Sequence, residues 1–343
     1  MPRVVVAPDK FRDTATAGEA AAAMAGAAES LEWEVTRLPL SDGGEGLLEA
    51  CAAICPQEVE TVVTGPDGSA VAARWRLGDR MAVVESALAS GLALAGGSEA
   101  NDPMAATSRG TGELLVAAAS RVGPGGTVIV GLGGSATTDG GLGALEAVGS
   151  AGGLADVRLV GACDVAVPFM DAARLFAPQK GADHGQVTAL TARLGRLAGR
   201  YVAEYGVDVS DLPGAGAAGG LGGALAVLGG ELRSGYSLVC DLVGLPAALD
   251  TADRVVTGEG ALDATSFVGK VVGGVVGDAR ARGIATLVVA GRCSVEGATR
   301  ALRAGCDVVS LSDQFGPDRA MTVTGTLLAT VVADWLGPSG HPP

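Results

Sequence analysis

Between Gly131 and Gly141 the chain reads GLGGSATTDGG, directly after the β-branched run Val128-Ile129-Val130. A buried strand feeding a glycine-rich loop and then a helix lets the backbone approach a ligand closely. Gly131, Gly133 and Gly134 are free to turn N–H groups outward, and Ser135, Thr137 and Thr138 add hydroxyl donors. Unpaired N–H groups and the dipole at the start of the following helix strengthen the attraction for an anion, so this pattern points to phosphate. Tight turns and close helix packing use the same glycines, and one such loop does not separate these readings.

Similar loops recur at 41–46 (SDGGEG), 108–113 (SRGTGE), 213–223 (PGAGAAGGLGG) and 257–263 (TGEGALD). Asp42, Glu45, Asp139, Glu259 and Asp263 lie in or beside these glycines, where a pliant backbone can aim carboxylates into a shared cleft. Mg²⁺ takes one or two carboxylates together with phosphate oxygens, so the pattern predicts a nucleotide–metal site. Asp9 is equally suited to capping the turn after the first strand, and Glu45 to satisfying its own loop.

The elements that carry these loops alternate. Strand RVVVAP at 3–8 precedes a helix from Thr16 to Leu31, opened by a Thr16/Glu19 capping box. A strand at 33–39 leads into the second glycine loop, and the segment 58–85 changes to an antiparallel hairpin around Gly65–Gly68. Further strands are expected at 157–162, 254–260, 285–291 and 306–313, with helices at 185–204, after Lys270 and up to Leu336. The apolar 213–230 stretch reads as a packed loop and helix rather than a linker. This pattern predicts an α/β protein of two domains. Residues 1–57 and 250–343 form a Rossmann-like parallel-sheet domain, and 58–249 an inserted α/β domain with a mixed sheet; the active site is expected in the cleft between them.

Composition narrows the chemistry. A net charge of −14 disfavours nucleic acid and anionic membranes as partners. Mean hydropathy is +0.38, yet the apolar residues come in short runs broken by glycine, and no stretch of about 18 apolar residues predicts a spanning helix. The N-terminal run is too short for a signal peptide, which predicts a cytoplasmic protein. The six cysteines form no paired CxxC sets, which argues against a zinc site or a disulfide framework. The histidines are His184 and His341, the latter in a tail expected to be disordered, so Ser-His-Asp or Cys-His hydrolysis has a single plausible base.

Taken in order, APDKFRDT (7–14), PLSDGGEG (39–46), ESALASGLAL (85–94), TSRGTGEL (107–114), GLGGSATTDGG (131–141), ACDV (162–165), APQKGA (177–182), GAGAAGGLGG (214–223) and TGEGALD with Gly269-Lys270 resemble the bacterial glycerate kinase family across nearly the whole chain. The resemblance implies a two-domain kinase that uses ATP and Mg²⁺ to phosphorylate D-glycerate, giving 2-phosphoglycerate or else 3-phosphoglycerate, with a homodimer possible. Phosphoryl transfer requires cations, metal carboxylates and oriented N–H donors. All three lysines of the chain, Lys10, Lys180 and Lys270, fall in these motifs. The catalytic candidates are Asp42, Asp139, Lys180, Arg12 and Lys10. Gly133, Gly134, Ser135, Thr137, Gly216, Gly219, Gly220, Glu259 and Lys270 are the candidates for holding the nucleotide, and Asp139, Asp164 and Glu259 those for Mg²⁺. Which acid acts as base, and which domain binds ATP, stay open. Arg109 is a weaker candidate, while Asp183 and His184 are suited to starting a helix.

The chain departs from the family in two places. Arg12-Asp13 stands where a Lys-Gly pair is common, and Ala261 with Thr265-Ser266 replaces a more polar ending of the last motif. A paralogue acting on a related hydroxy acid, or a binding protein on the same fold, is the alternative reading. An NAD-dependent oxidoreductase is disfavoured, because PDKFRDT rather than GxGxxG follows the first strand.

Overall fold

The computed structural model describes residues 1–154 and 156–337, so the tail containing His341 lies outside the described residues. In chain order the strands are β1 (Arg3–Val6), β2 (Glu34–Arg37), β3 (Gln57–Thr64), β4 (Ala70–Leu77), β5 (Met81–Glu85), β6 (Thr127–Gly131), β7 (Arg158–Cys163), β8 (Glu231–Ser234), β9 (Arg254–Leu262), β10 (Ala285–Cys293) and β11 (Asp307–Ser310). They belong to two compact α/β units, one made of Met1–Asp42 with Val239–Pro343 and the other of Gly43–Leu238. The boundaries read from the sequence, 57/58 and 249/250, lie further along the chain than these junctions.

The discontinuous unit holds a wholly parallel sheet in the order β11-β10-β9-β1-β2. Parallel strands covered on both faces must be apolar on both, and alternation along β10 does this. Leu287 and Val289 join Val4, Val6 and Val256 against Met24 of helix Ala17–Glu29 and Leu328 of helix Thr324–Leu336. Val288 and Ala290 face the opposite way, against Val272 and Val276 of helix Val271–Ala281. The first helix opens with the expected capping box: Glu19 N–H donates to the Thr16 hydroxyl and Thr16 N–H to the Glu19 carboxylate. From β1 the sheet grows one way to β2, and from the adjacent β9 the other way to β10. This reversal opens a crevice at the carboxyl ends of β1 and β9, where open parallel sheets receive ligands.

The inserted unit has a mixed sheet, β3-β4-β5-β6-β7-β8. The hairpin expected around Gly65–Gly68 joins β3 and β4, β5 pairs antiparallel with β4, and β5 through β8 run parallel. Its core gathers Trp75, Leu114, Leu115, Leu190, Leu194 and Tyr201. The 213–230 stretch is a packed helix, Ala217–Val227, interrupted where Ala218, Gly219 and Gly220 turn left-handed. Phe169 explains several of the nearby glycines. A Cβ at Gly140, Gly220 or Gly223 would come within 3.1, 2.8 or 2.6 Å of its ring. The ring fills the space these residues leave, and truncating such a side chain costs about 3–5 kcal/mol.

Candidate active site

In the inserted unit, the segments after β5, β6 and β7 line a cavity of about 460 Å³. Leu92, Leu132, Val165 and Phe176 supply apolar walls, while Gly133, Gly134, Ser135, Asp164, Gln179 and Lys180 supply the polar side. Among the described residues the N–H groups of Gly133 and Gly134 meet no protein acceptor. A Cβ at Gly133 would lie 3.0 Å from the Cα of Gly44, and Gly134 has φ +62°, so the glycines are required by space at one position and by backbone conformation at the next.

Lys180 lies beneath this loop and is 3% exposed. Its Nζ donates to Ser135 Oγ at 2.8 Å and to the Thr137 carbonyl at 2.6 Å, leaving one of three N–H donors. Burial pushes the ammonium down to about 7, opposed by the charge of Asp139. Asn101, which nothing in the sequence singles out, ties the two loops together by donating to the carbonyls of Ala136 and Lys180. Segments 131–141 and 177–182 therefore form one constellation.

Asp139 is placed differently from its sequence reading. Its Oδ2 accepts from Ser108 N, Ser108 Oγ and Gly143 N, and its Oδ1 from Gly141 N. The carboxylate thus caps the helix Leu142–Ser150 and fastens it to the start of helix Arg109–Val122. The dipole expected to attract a ligand phosphate is met by this side chain instead. With four protein donors on a carboxylate that has about four acceptor sites, Asp139 serves as a structural tie and an electrostatic neighbour of Lys180.

Gly216, Gly219 and Gly220 also differ from expectation. Added Cβ atoms would come within 2.4 Å of the Pro168 carbonyl, 1.9 Å of the Thr137 carbonyl and 2.6 Å of the Gly140 Cα respectively. These glycines are buried where backbones cross, and of their stretch it is Ala218 that lines the cavity. Thr137 is buried too, and serves Lys180 through its carbonyl. Arg109 pairs with Glu113 in an i,i+4 bridge, and Asp183 caps the helix His184–Tyr205.

The discontinuous unit has its own cavity, about 530 Å³, at the crevice described above. Asp9, Lys10 and Arg12 follow β1, Glu259 and Ala261 belong to β9, and Arg292 to β10; Asp42, Asp263 and Lys270 complete the charged lining. Asp9 is buried, accepts from Lys10 N at 2.7 Å, and is pushed up to about 6 by burial and by Asp42. Burial and the charge of Asp9 raise Glu259 to about 7, against hydrogen bonding from Ser266 and the charge of Lys270. Oε1 of Glu259 is buried and has no hydrogen-bond partner among the described residues.

Asp263 is occupied with Thr265, whose N–H and hydroxyl both donate to its Oδ1. The departures at 265 and 266 are therefore read by neighbouring acids: Thr265 serves Asp263, and Ser266 serves Glu259. Of the five acids expected in one cleft, Asp42, Glu259 and Asp263 line this cavity, whereas Glu45 and Asp139 belong to the inserted unit and line neither cavity. The carboxylates proposed for Mg²⁺ are likewise divided, Glu259 in one unit and Asp164 in the other. No group of three or more metal-ligating side chains assembles among the described residues. Asp164, which lines the glycine-loop cavity, can supply one of the one or two carboxylates that Mg²⁺ takes beside phosphate oxygens. No helix among the described residues is long and apolar enough to cross a membrane.

Comparison with known proteins identifies the family. The glycerate kinase family model matches residues 4–152 and 150–335. The chain is 39% identical to a glycerate 2-kinase of Escherichia coli K12, over 81% of this chain and 82% of that protein. It is 35% identical to a glycerate kinase of Bacillus subtilis 168, over 85% of each. A crystal structure from Salmonella typhimurium LT2, provisionally described as glycerate kinase 2, superposes with a TM-score of 0.80 at 33% identity, covering 97% of this chain and 98% of that one. A kinase by these likenesses, the chain belongs to the glycerate kinase family.

Proposed function

We propose that the protein transfers the γ-phosphoryl group of ATP to D-glycerate, forming 2-phosphoglycerate, with Mg²⁺ as the accompanying cation. The observation that carries this reading is the buried Lys180 ammonium beneath two glycine N–H groups that meet no acceptor among the described residues, in a cavity with one polar side and apolar walls from Leu92, Leu132, Val165 and Phe176. Oriented N–H donors and a desolvated cation suit a phosphate chain, and the apolar walls suit a base ring. We therefore assign ATP to the inserted unit. Gly133, Gly134 and Lys180 bind its phosphates, and Asp164 holds Mg²⁺, which neutralises phosphate charge when bound.

Lys180 acts on the reaction itself. Negative charge spreads over the transferred phosphoryl oxygens in the transition state, and a cation fixed by Ser135 and Thr137 needs no reorganisation to stabilise it. Mixing purified protein with ATP, MgCl₂ and D-glycerate should release ADP only when all three are present. Coupling the product to enolase without a mutase identifies 2-phosphoglycerate directly. Turnover that persists in excess chelator would overturn the Mg²⁺ assignment. Strong turnover with another hydroxy acid and none with D-glycerate would reassign the substrate.

A further inference from the structure

We infer that the cavity of the discontinuous unit is the acceptor subsite and takes a short hydroxycarboxylate, whose carboxylate is held by Arg12 and Arg292 and whose hydroxyl donates to Glu259 Oε1. This rests on the kinase reading above and adds to it the place of the acceptor and the groups that recognise it.

One buried oxygen of Glu259 lacks a donor among the described residues. Unsatisfied buried acceptors are costly, and a carboxylate oxygen accepts only from a donor. Glu259 Oε1 has none among the described residues, while Ser266 engages the same carboxylate and helps fix it. Glu259 lies on β9 and lines the cavity, so a ligand hydroxyl entering there supplies the missing donor.

The two arginines supply the opposite charge. Both line the cavity, and neither guanidinium has an ion pair or hydrogen bond among the described residues. Arg12 is set in a closed loop: Phe11 N–H donates to the Ala15 carbonyl, and the Phe11 carbonyl accepts from the N–H groups of Thr14 and Ala15. The ring of Phe11 is fully buried, and Asp13 turns the chain at φ +66°. A Cβ on Gly260 would lie 2.9 Å from Arg12 N, so the Arg12 backbone rests directly on the strand that carries Glu259. Arg292 leaves β10 opposite Ala261, where a methyl group leaves the cavity open beside it.

Charge selects the ligand class. The lining carries five carboxylates against four cations, a poor setting for a nucleoside triphosphate. A single carboxylate suits it, because guanidinium groups match carboxylate geometry through paired hydrogen bonds.

Calorimetric binding of D-glycerate and of propionate, which lacks both hydroxyls, separates the two contacts. Arg12→Gln or Arg292→Gln should weaken both ligands by a factor of roughly 10–100, the usual effect of losing a charge-assisted bond, and raise the KM for D-glycerate while that for ATP stays within about twofold. Glu259→Gln should weaken D-glycerate but leave propionate within about twofold. Thermal melts check that each variant is folded. Turnover of D-glycerate with arginine variants that leave its Kd and KM unchanged would overturn the subsite while the kinase reading stands. Wild-type protein that binds D-glycerate through these three residues without turnover would preserve the subsite and overturn the kinase reading. Arginine variants that raise the KM for ATP alone would assign the cavity to the nucleotide and overturn the inference.

Discussion

The Lys180 ammonium donates to the main-chain carbonyl of Thr137 at 2.6 Å, so the cation from the APQKGA segment is fixed by the backbone of the GGSATTDGG loop. Contact with a dipole instead of a full anion keeps its charge available to a ligand, with Asp139 acting at longer range. Burial then sets its protonation.

Activity should fall as that charge is lost. With the free-enzyme ammonium at about 7, kcat/KM for ATP is expected to decline as pH rises through that value, and bound phosphate should move the limb of kcat to higher pH. Lys180→Met should lower kcat at least about a hundredfold, equivalent to roughly 2.7 kcal/mol, and remove the limb. Stability runs in the opposite sense. From about 7 up to the ordinary value of 10.5 the unfolded chain binds more protons, so parent stability should rise with pH across that window relative to Lys180→Met. Melts at pH 7 and 9.5 measure the difference; parallel curves would show that the buried ammonium keeps its ordinary protonation.

Asp139→Asn should first be a stability defect. The amide replaces one accepting oxygen with a donor among Ser108, Gly141 and Gly143, all of which already donate, and the loss is expected at about 2–4 kcal/mol. Urea unfolding measures it. A variant with parental stability and a hundredfold loss of kcat would instead restore the direct catalytic role read from the sequence.

The acids after β1 and β9 should destabilise the protein as they ionise. Asp9 and Glu259 are raised from 3.8 and 4.5 to about 6 and about 7, so the folded chain holds more protons than the unfolded one across that interval. Their stabilising contribution is complete below the unfolded values and is lost as pH rises through the folded ones. Glu259→Gln lacks part of this loss, so its stability should improve relative to the parent between pH 4.5 and 7. A constant difference across that range would mean that Glu259 titrates at its ordinary value.

Local pattern was enough for the α/β alternation, the Thr16 capping box, the 65–68 hairpin and the glycine loop beside Lys180. Each follows from near neighbours in the chain: β-branched runs, capping side chains and turn residues act over a few residues. Lys180 was visible because lysine is so scarce in this chain that its presence in a loop stands out.

Tertiary structure decided how the polar groups are used. Asp139 and Glu259 look alike in sequence, each beside a glycine, yet Asp139 is engaged by donors that include Ser108, 31 positions away, while one oxygen of Glu259 meets none among the described residues. Gly219 resembles a phosphate-loop glycine until the Thr137 carbonyl is seen 1.9 Å from where its Cβ would be. Arg292 had no motif to mark it, and enters the cavity because β10 pairs with β9 in a register that sets it opposite Ala261. Hydrogen-bond satisfaction and close backbone approach depend on residues distant in the chain, and so only the folded arrangement separates a structural carboxylate or glycine from one that remains available to a ligand.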